Sequence, residues 1–147
     1  MVTFRLPWDP SDPAGYGACL KFRVNRPLDE IESGEKLGFE YPAPTPMALI
    51  DTGSPFTIIN TALARSSNLM LTNPTFAIKT LSGGCICEEY CGSLSFPGSG
   101  IPTIRELRIL ASDLNRESHY SALIGRDVLK RWDVRFDGPG RVVTITA

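Results

Sequence analysis

Between Ala18 and Asn25 apolar and polar residues alternate strictly, with Ala18, Leu20, Phe22 and Val24 on one parity and Cys19, Lys21, Arg23 and Asn25 on the other. Successive side chains of a strand point to opposite faces, so this period of two predicts a half-buried β-strand. The pattern lapses from Arg26 to Pro46, where proline, glycine and acidic residues crowd the chain and Tyr41-Pro42-Ala43-Pro44-Thr45-Pro46 is unable to form a ladder. An inserted loop or loose hairpin is expected there. A second apolar run begins at Met47 and stops at Asp51, and Thr57 to Asn60 reads as another strand. Asn60 is placed to cap a short helix over Thr61 to Arg65, an excursion that Asn73-Pro74 ends. Thr75 to Leu81 and Cys85 to Phe96 are strand-like runs separated by Ser82-Gly83-Gly84, a tight-hairpin signal.

Further along, Ile104 to Leu110 predicts a strand and Ser112 to Ser121 a polar loop holding the chain's single histidine, His119. A lone loop histidine is solvated as a rule, and no role follows for it. Ala122-Leu123-Ile124 is an apolar strand that stops at Gly125 and passes into a short helix, on which Val128, Leu129 and Trp132 share a face. The end of the chain reads as a β-hairpin: Val134 and Phe136, the turn Asp137-Gly138-Pro139-Gly140, then Val142 to Thr146. An apolar terminal hairpin on a small domain is a natural pairing edge. Short strands, frequent turns and little helix make the expected class all-β. At 147 residues the chain holds one domain with a core of ordinary size and is too short for two full lobes. The division expected is an N-terminal arm over residues 1–17 and a domain over 18–147 that carries the insertion 26–46.

Charge removes several functions from consideration. Fifteen basic and sixteen acidic residues leave a net charge of −1, with no charge run, so nucleic acid and anionic membrane surfaces are not expected partners. No stretch reaches membrane-spanning length, and the first residues lack a basic segment followed by an apolar core. A cytoplasmic location is the simplest expectation. Three of the four cysteines cluster as Cys85-Ile86-Cys87-Glu88-Glu89-Tyr90-Cys91. A zinc site would have to draw its second pair from Cys19 and His119, an unusual spacing, so no metal and no cofactor is expected. In an alternating strand Cys85, Cys87 and Cys91 point to one face, which reads as free thiols on a half-buried surface. If those thiols are exposed, oxidation would affect the hairpin.

The chemistry centres on Met47-Ala48-Leu49-Ile50-Asp51-Thr52-Gly53-Ser54. Asp, Thr and Gly are common turn residues, and the tripeptide alone reads equally as a surface turn. Here apolar segments lie on both sides: Leu49 and Ile50 before it, then Pro55, Phe56, Ile58 and Ile59 after it. A carboxylate withdrawn from water in such surroundings needs hydrogen-bond donors. Gly53 allows a tight turn that brings a backbone N–H to the carboxylate, and the Ser54 hydroxyl is expected to donate a further bond to its ionised form.

These residues resemble the retropepsin-like aspartic peptidases, the single-lobe family of retroviral, retrotransposon and related cellular and bacterial enzymes. The resemblance runs from about Ala18 to the C-terminus. It rests on the order Ala48 to Ser54, then a glycine-bearing hairpin at Ser82-Gly83-Gly84, then Leu123-Ile124-Gly125-Arg126-Asp127-Val128-Leu129. It implies a single-lobe acid-protease β-barrel with one or two short helices, working as a homodimer on peptide or protein substrates. The catalytic residue would be Asp51, one from each subunit, the two sharing a proton and holding a water between them. Thr52 would bond across the dimer axis, Gly53 would admit the substrate backbone, and Ser82, Gly83 and Gly84 would form the flap that closes over the peptide. A hydroxyl donor at Ser54 favours the charged carboxylate and implies an acidic optimum. Pro55-Phe56 stand where viral members carry an acidic partner for the arginine of the second motif, which leaves Arg126 without an assigned partner; Asp127 reads as a helix cap. Two other readings are a catalytically silent dimerisation or adaptor module with the same fold, and a metal or redox module built on the cysteines.

Overall fold

The computed structural model describes residues 1–8, 17–41, 44–114 and 119–147. In chain order the elements are β1 (Thr3–Pro7), β2 (Cys19–Lys21), β3 (Arg23–Asn25), α1 (Leu28–Lys36), β4 (Met47–Ile50), β5 (Ile58–Asn60) and α2 (Thr61–Ser66). They continue with β6 (Met70–Thr80), β7 (Gly83–Ser95), β8 (Ile104–Ser112), β9 (Ala122–Ile124), α3 (Arg126–Leu129), β10 (Asp133–Asp137) and β11 (Val142–Thr146). The eight-stranded sheet runs β2-β4-β9-β5-β8-β7-β3, with β6 added on β7, and a three-stranded sheet runs β1-β11-β10.

The alternating run from Ala18 explains how the large sheet curls into a nearly closed barrel. It does not stay with one neighbour: β2 pairs β4 at one end of the strand order, and β3 pairs β7 at the other. Only Phe22 separates them, its N–H bonded to the Pro46 carbonyl at 3.0 Å. Ala18, Leu20, Phe22 and Val24 are all buried, as the period of two requires, and they meet Ile59, Leu94, Ile109 and Ile124 in one core.

Three stretches differ from the sequence expectation. Within 26–46, expected as loop or hairpin, the helix α1 forms behind Pro27 with Asp29 and Glu30 in its first turn and Lys36 in its last, charges that suit the helix dipole. Its apolar stripe is thin, with Ile31 the buried aliphatic, and Gly34 packs so closely under Tyr41 that a Cβ there would sit 1.8 Å from the phenol oxygen. Asn73-Pro74, expected to end an excursion, lies inside β6, where the register with β7 shifts on both sides of Asn73. A proline that cannot donate to a ladder is tolerated because β6 pairs with β7 alone and the shifts mark irregular pairing. Finally, residues 3–7 of the segment read as an arm form β1, which pairs β11 from Thr3↔Thr146 to Pro7↔Val142. That makes β11 a central strand with Val143 and Ile145 fully buried, and the pairing edges of the small sheet are β1 and β10. Residues 9–16 of that segment, residues 42–43 of the proline-rich stretch and residues 115–118 of the polar loop lie outside the described residues.

Phe22 is the side chain on which both halves of the barrel seam close. Phe22→Ala is expected to lower stability by about 3–5 kcal/mol, a large part of a domain's total, as read from the shift of a urea unfolding midpoint.

Candidate active site

β4 and β9 run parallel and in register, with Ala48, Leu49 and Ile50 opposite Ala122, Leu123 and Ile124. The next residue of each strand therefore emerges at the same level: Asp51 beside Gly125. Asp51 is held there by its N–H on the Ile124 carbonyl, and the preceding Ile50 N–H bonds the Ala18 carbonyl, both at 3.0 Å. The carboxylate is half-buried. Gly53 N–H donates to its Oδ1 at 2.9 Å, and Ser54 N–H reaches back to the Asp51 carbonyl at 3.3 Å. The glycine bond is the one the sequence predicts.

The Ser54 bond is not. Its hydroxyl donates to the Phe56 carbonyl at 2.6 Å and faces away from Asp51, so the argument for an acidic optimum that rested on a Ser54 donor falls. The reason is local: Ser54 is the buried member of the turn, between the exposed Gly53 and Pro55, and its hydroxyl satisfies the nearest buried acceptor.

The second motif grips this turn from behind. A Cβ on Gly125 would lie 2.3 Å from the Phe56 carbonyl oxygen and 2.9 Å from that of Ser54, so only glycine permits the approach. Arg126 contributes two bonds, N–H to the Ser54 carbonyl and guanidinium Nη1 to the Thr52 carbonyl, each 2.8 Å. That supplies the partner the sequence left unassigned: backbone, where an acidic side chain had been looked for. Asp127 accepts the Val128 N–H at 2.9 Å, but α3 is capped by Gly125 without a side-chain bond. The larger task of Asp127 is to hold Thr57, accepting its N–H on Oδ2 at 3.0 Å and its hydroxyl on Oδ1 at 2.8 Å. Thr57 Oγ1 in turn accepts the Gly125 N–H at 3.1 Å. Thr57 is fully buried and was legible only as the start of a strand; a hydroxyl in an otherwise apolar run was the available signal. Leu123 and Ile124 serve as the strand itself, Ile124 fully buried.

The hairpin of β6 and β7 faces the turn. Thr80 pairs Gly83 and Lys79 pairs Gly84, so the loop proper is Leu81-Ser82, and Gly83 and Gly84 open β7. Gly83 has φ +124°, a conformation L residues rarely adopt, and the Thr80 hydroxyl donates to its carbonyl at 2.7 Å. Between the turn and the arm Phe76 to Leu81 lies a cleft of about 660 Å³. Phe56 from the turn meets Phe76 from the arm edge to face, centroids 6.1 Å apart, and Arg108 stacks over Phe76 at 5.2 Å.

The thiols lie on the far arm. Cys85 and Cys87 sulfurs are 3.9 Å apart, on one face as alternation requires. Burial, with Cys85 alongside, pushes the Cys87 thiol up to about 11, and burial followed by Glu106 raises that of Cys91. Cys87 is 2% exposed, while Cys85 and Cys91 are half-buried, which limits the oxidation reading to the latter two. Among the described residues no group of three or more His, Cys, Asp or Glu side chains is placed to hold a metal. Cys19 stands on β2, with four strands between it and β7 in the sheet order.

Gly125→Ala drives a methyl into backbone that cannot move aside, and a loss of about 3 kcal/mol is expected from chemical unfolding. Because thiolate is the reactive form, Cys87 is expected to react with iodoacetamide at least about tenfold more slowly than Cys85 at about pH 8, as followed by peptide mass mapping.

No protein-family model matches the sequence, and no curated protein matches it. The likeness is three-dimensional. The crystal structure of a retropepsin-like aspartic protease from Rickettsia conorii superposes with a TM-score of 0.54, covering 97% of this chain and 89% of that one at 10% sequence identity. The chain has the retropepsin-like fold, a nearly closed β-barrel with few short helices.

Proposed function

We propose that this chain is an aspartic endopeptidase that acts as a homodimer, each copy contributing one Asp51. The observation that carries the reading is the setting of that carboxylate. It stands at the mouth of a barrel strand, held by the Gly53 N–H, in a turn whose carbonyls are clamped by Arg126, beside an apolar cleft under a hairpin. Such a turn holds its shape without substrate, which general acid–base chemistry rewards. The sequence contains one Asp-Thr-Gly, and water activation with protonation of the scissile carbonyl needs two carboxylates, so a second copy completes the site.

In the dimer the two carboxylates approach, retain one proton between them and bind a water. The ionised member takes a proton from that water as it attacks the peptide carbonyl carbon; the protonated member donates to the carbonyl oxygen, giving a tetrahedral diol. Breakdown returns a proton to the leaving amine, with no covalent enzyme intermediate. Thr52, exposed at the turn, bonds to its mate across the axis. The substrate runs extended, its main chain beside the unpaired edge of β6 and its side chains in the cleft. Leu81 and Ser82 at the hairpin tip close over it and exclude water.

Cleavage of a mixed peptide library by the wild-type protein is expected to fall by about 10³-fold or more in Asp51→Asn. Specific activity should rise with protein concentration as dimer forms. Equal behaviour of the two proteins in samples shown to be dimeric would instead identify a dimerisation module that keeps the fold without the chemistry.

A further inference from the structure

The cleft beside Asp51 is walled by the turn Gly53–Phe56 on one side and by the arm Phe76 to Leu81 on the other. Its lining is apolar apart from a few hydroxyls and one charge, that of Lys79. From Phe76 to Cys87, the whole outer part of the hairpin, Lys79 is also the single residue carrying a full charge. The hairpin's two carboxylates lie further back and are occupied: Glu88 by Arg65, and Glu89 by Arg108 at 3.0 Å. Across the ladder Lys79 faces Gly84, which has no side chain to offer. Among the described residues no hydrogen bond or ion pair engages its ammonium.

Phe76 and Ile78 share the half-buried parity of β6, whereas Lys79 is on the exposed parity, at the rim of the cleft. An uncompensated cation beside apolar walls leaves a place that an anion fills better than any neutral group, because the low-dielectric walls strengthen the attraction while the rim spares the full desolvation cost. We propose that Lys79 selects an acidic side chain of the substrate, so that peptides with Glu or Asp at one position near the cleaved bond are preferred. The inference rests on the peptidase reading above and adds to it the class of substrate. The neighbouring subsite, formed by Phe56, Ile58 and Phe76, takes an apolar side chain; alternation along an extended peptide then sends adjacent residues to different surroundings.

The test is a set of peptides with an apolar centre, in which a single Glu or Gln is moved through the flanking positions, cut by wild-type, Lys79→Gln and Lys79→Glu proteins at about pH 6, where the glutamate of a peptide is ionised. At one position the wild-type protein is expected to favour Glu over Gln by about fivefold in kcat/KM, the size of a rim ion pair, with the preference shrinking in high salt. The ratio of Glu to Gln peptides within each protein should fall to about one in Lys79→Gln and reverse in Lys79→Glu. A library with no Glu-favouring position, or a preference that survives Lys79→Gln, overturns the assignment. If the wild-type protein cuts nothing, fluorescence anisotropy of the same labelled peptides separates the two failures. A Glu preference in binding that vanishes in Lys79→Gln keeps the subsite and overturns the peptidase; no such preference overturns both.

Discussion

The site depends on one close approach, that of the Gly125 backbone to the carbonyls of Ser54 and Phe56. The clamp on the turn that follows Asp51 depends on it. With no side chain at 125, Arg126 comes near enough to take the Ser54 and Thr52 carbonyls, and Asp127 comes near enough to receive both polar groups of Thr57. The two part-buried bonds from Thr57 to the Asp127 carboxylate are charge-assisted, a kind that contributes about 1.5–3 kcal/mol each, so the two loops are tied beyond what a surface turn would need. The buried Thr57 hydroxyl is satisfied in both directions, donating to Asp127 and accepting from Gly125. An apolar replacement of one partner would leave the other unsatisfied, which is why the three act as a unit.

The barrel serves this crossing. Parallel, in-register pairing of β4 with β9 brings the two loop-bearing strands side by side at one level, while β5, which follows the turn, lies antiparallel beside β9 and parallel to β8. The seam at Phe22 closes the sheet behind them, so a rigid core backs the turn. The hairpin opposite is of another kind. Its outer part from Phe76 onward is largely exposed, with Leu81 and Ile86 open to solvent and β6 paired on one side only. Few buried contacts and a free edge are the physical marks of an element that opens and closes, and the proposed peptidase reading calls for such a neighbour.

Much of this was legible in the sequence, for identifiable reasons. Ala18 to Val24 kept a period of two over seven residues, and Asn60 stood where a cap must stand; its side chain does accept the Ala62 N–H at 3.0 Å. Gly53 was expected to bring its N–H to Asp51 and does. What escaped depended on partners distant in sequence. Ser54 was assigned to the carboxylate because that acceptor is near in sequence, whereas Phe56 offers its carbonyl in the fold. The partners of Arg126 are backbone oxygens, which no residue pattern advertises. The α1 helix was hidden by a nearly absent apolar stripe, although the proline before it and the acidic first turn were there to be read. Thr57, the hub of the crossing, looked like any β-branched residue in a strand.

The central claim is that two copies of Asp51 form one site. Its most direct test holds the wild-type protein at fixed concentration and adds increasing amounts of Asp51→Asn, with native mass spectrometry reporting the mixed dimer. Peptide cleavage should decline toward zero as wild-type subunits are drawn into mixed dimers that hold a single carboxylate. Cleavage that stays constant while mixed dimers are demonstrably formed would contradict the account, because each subunit would then be working alone.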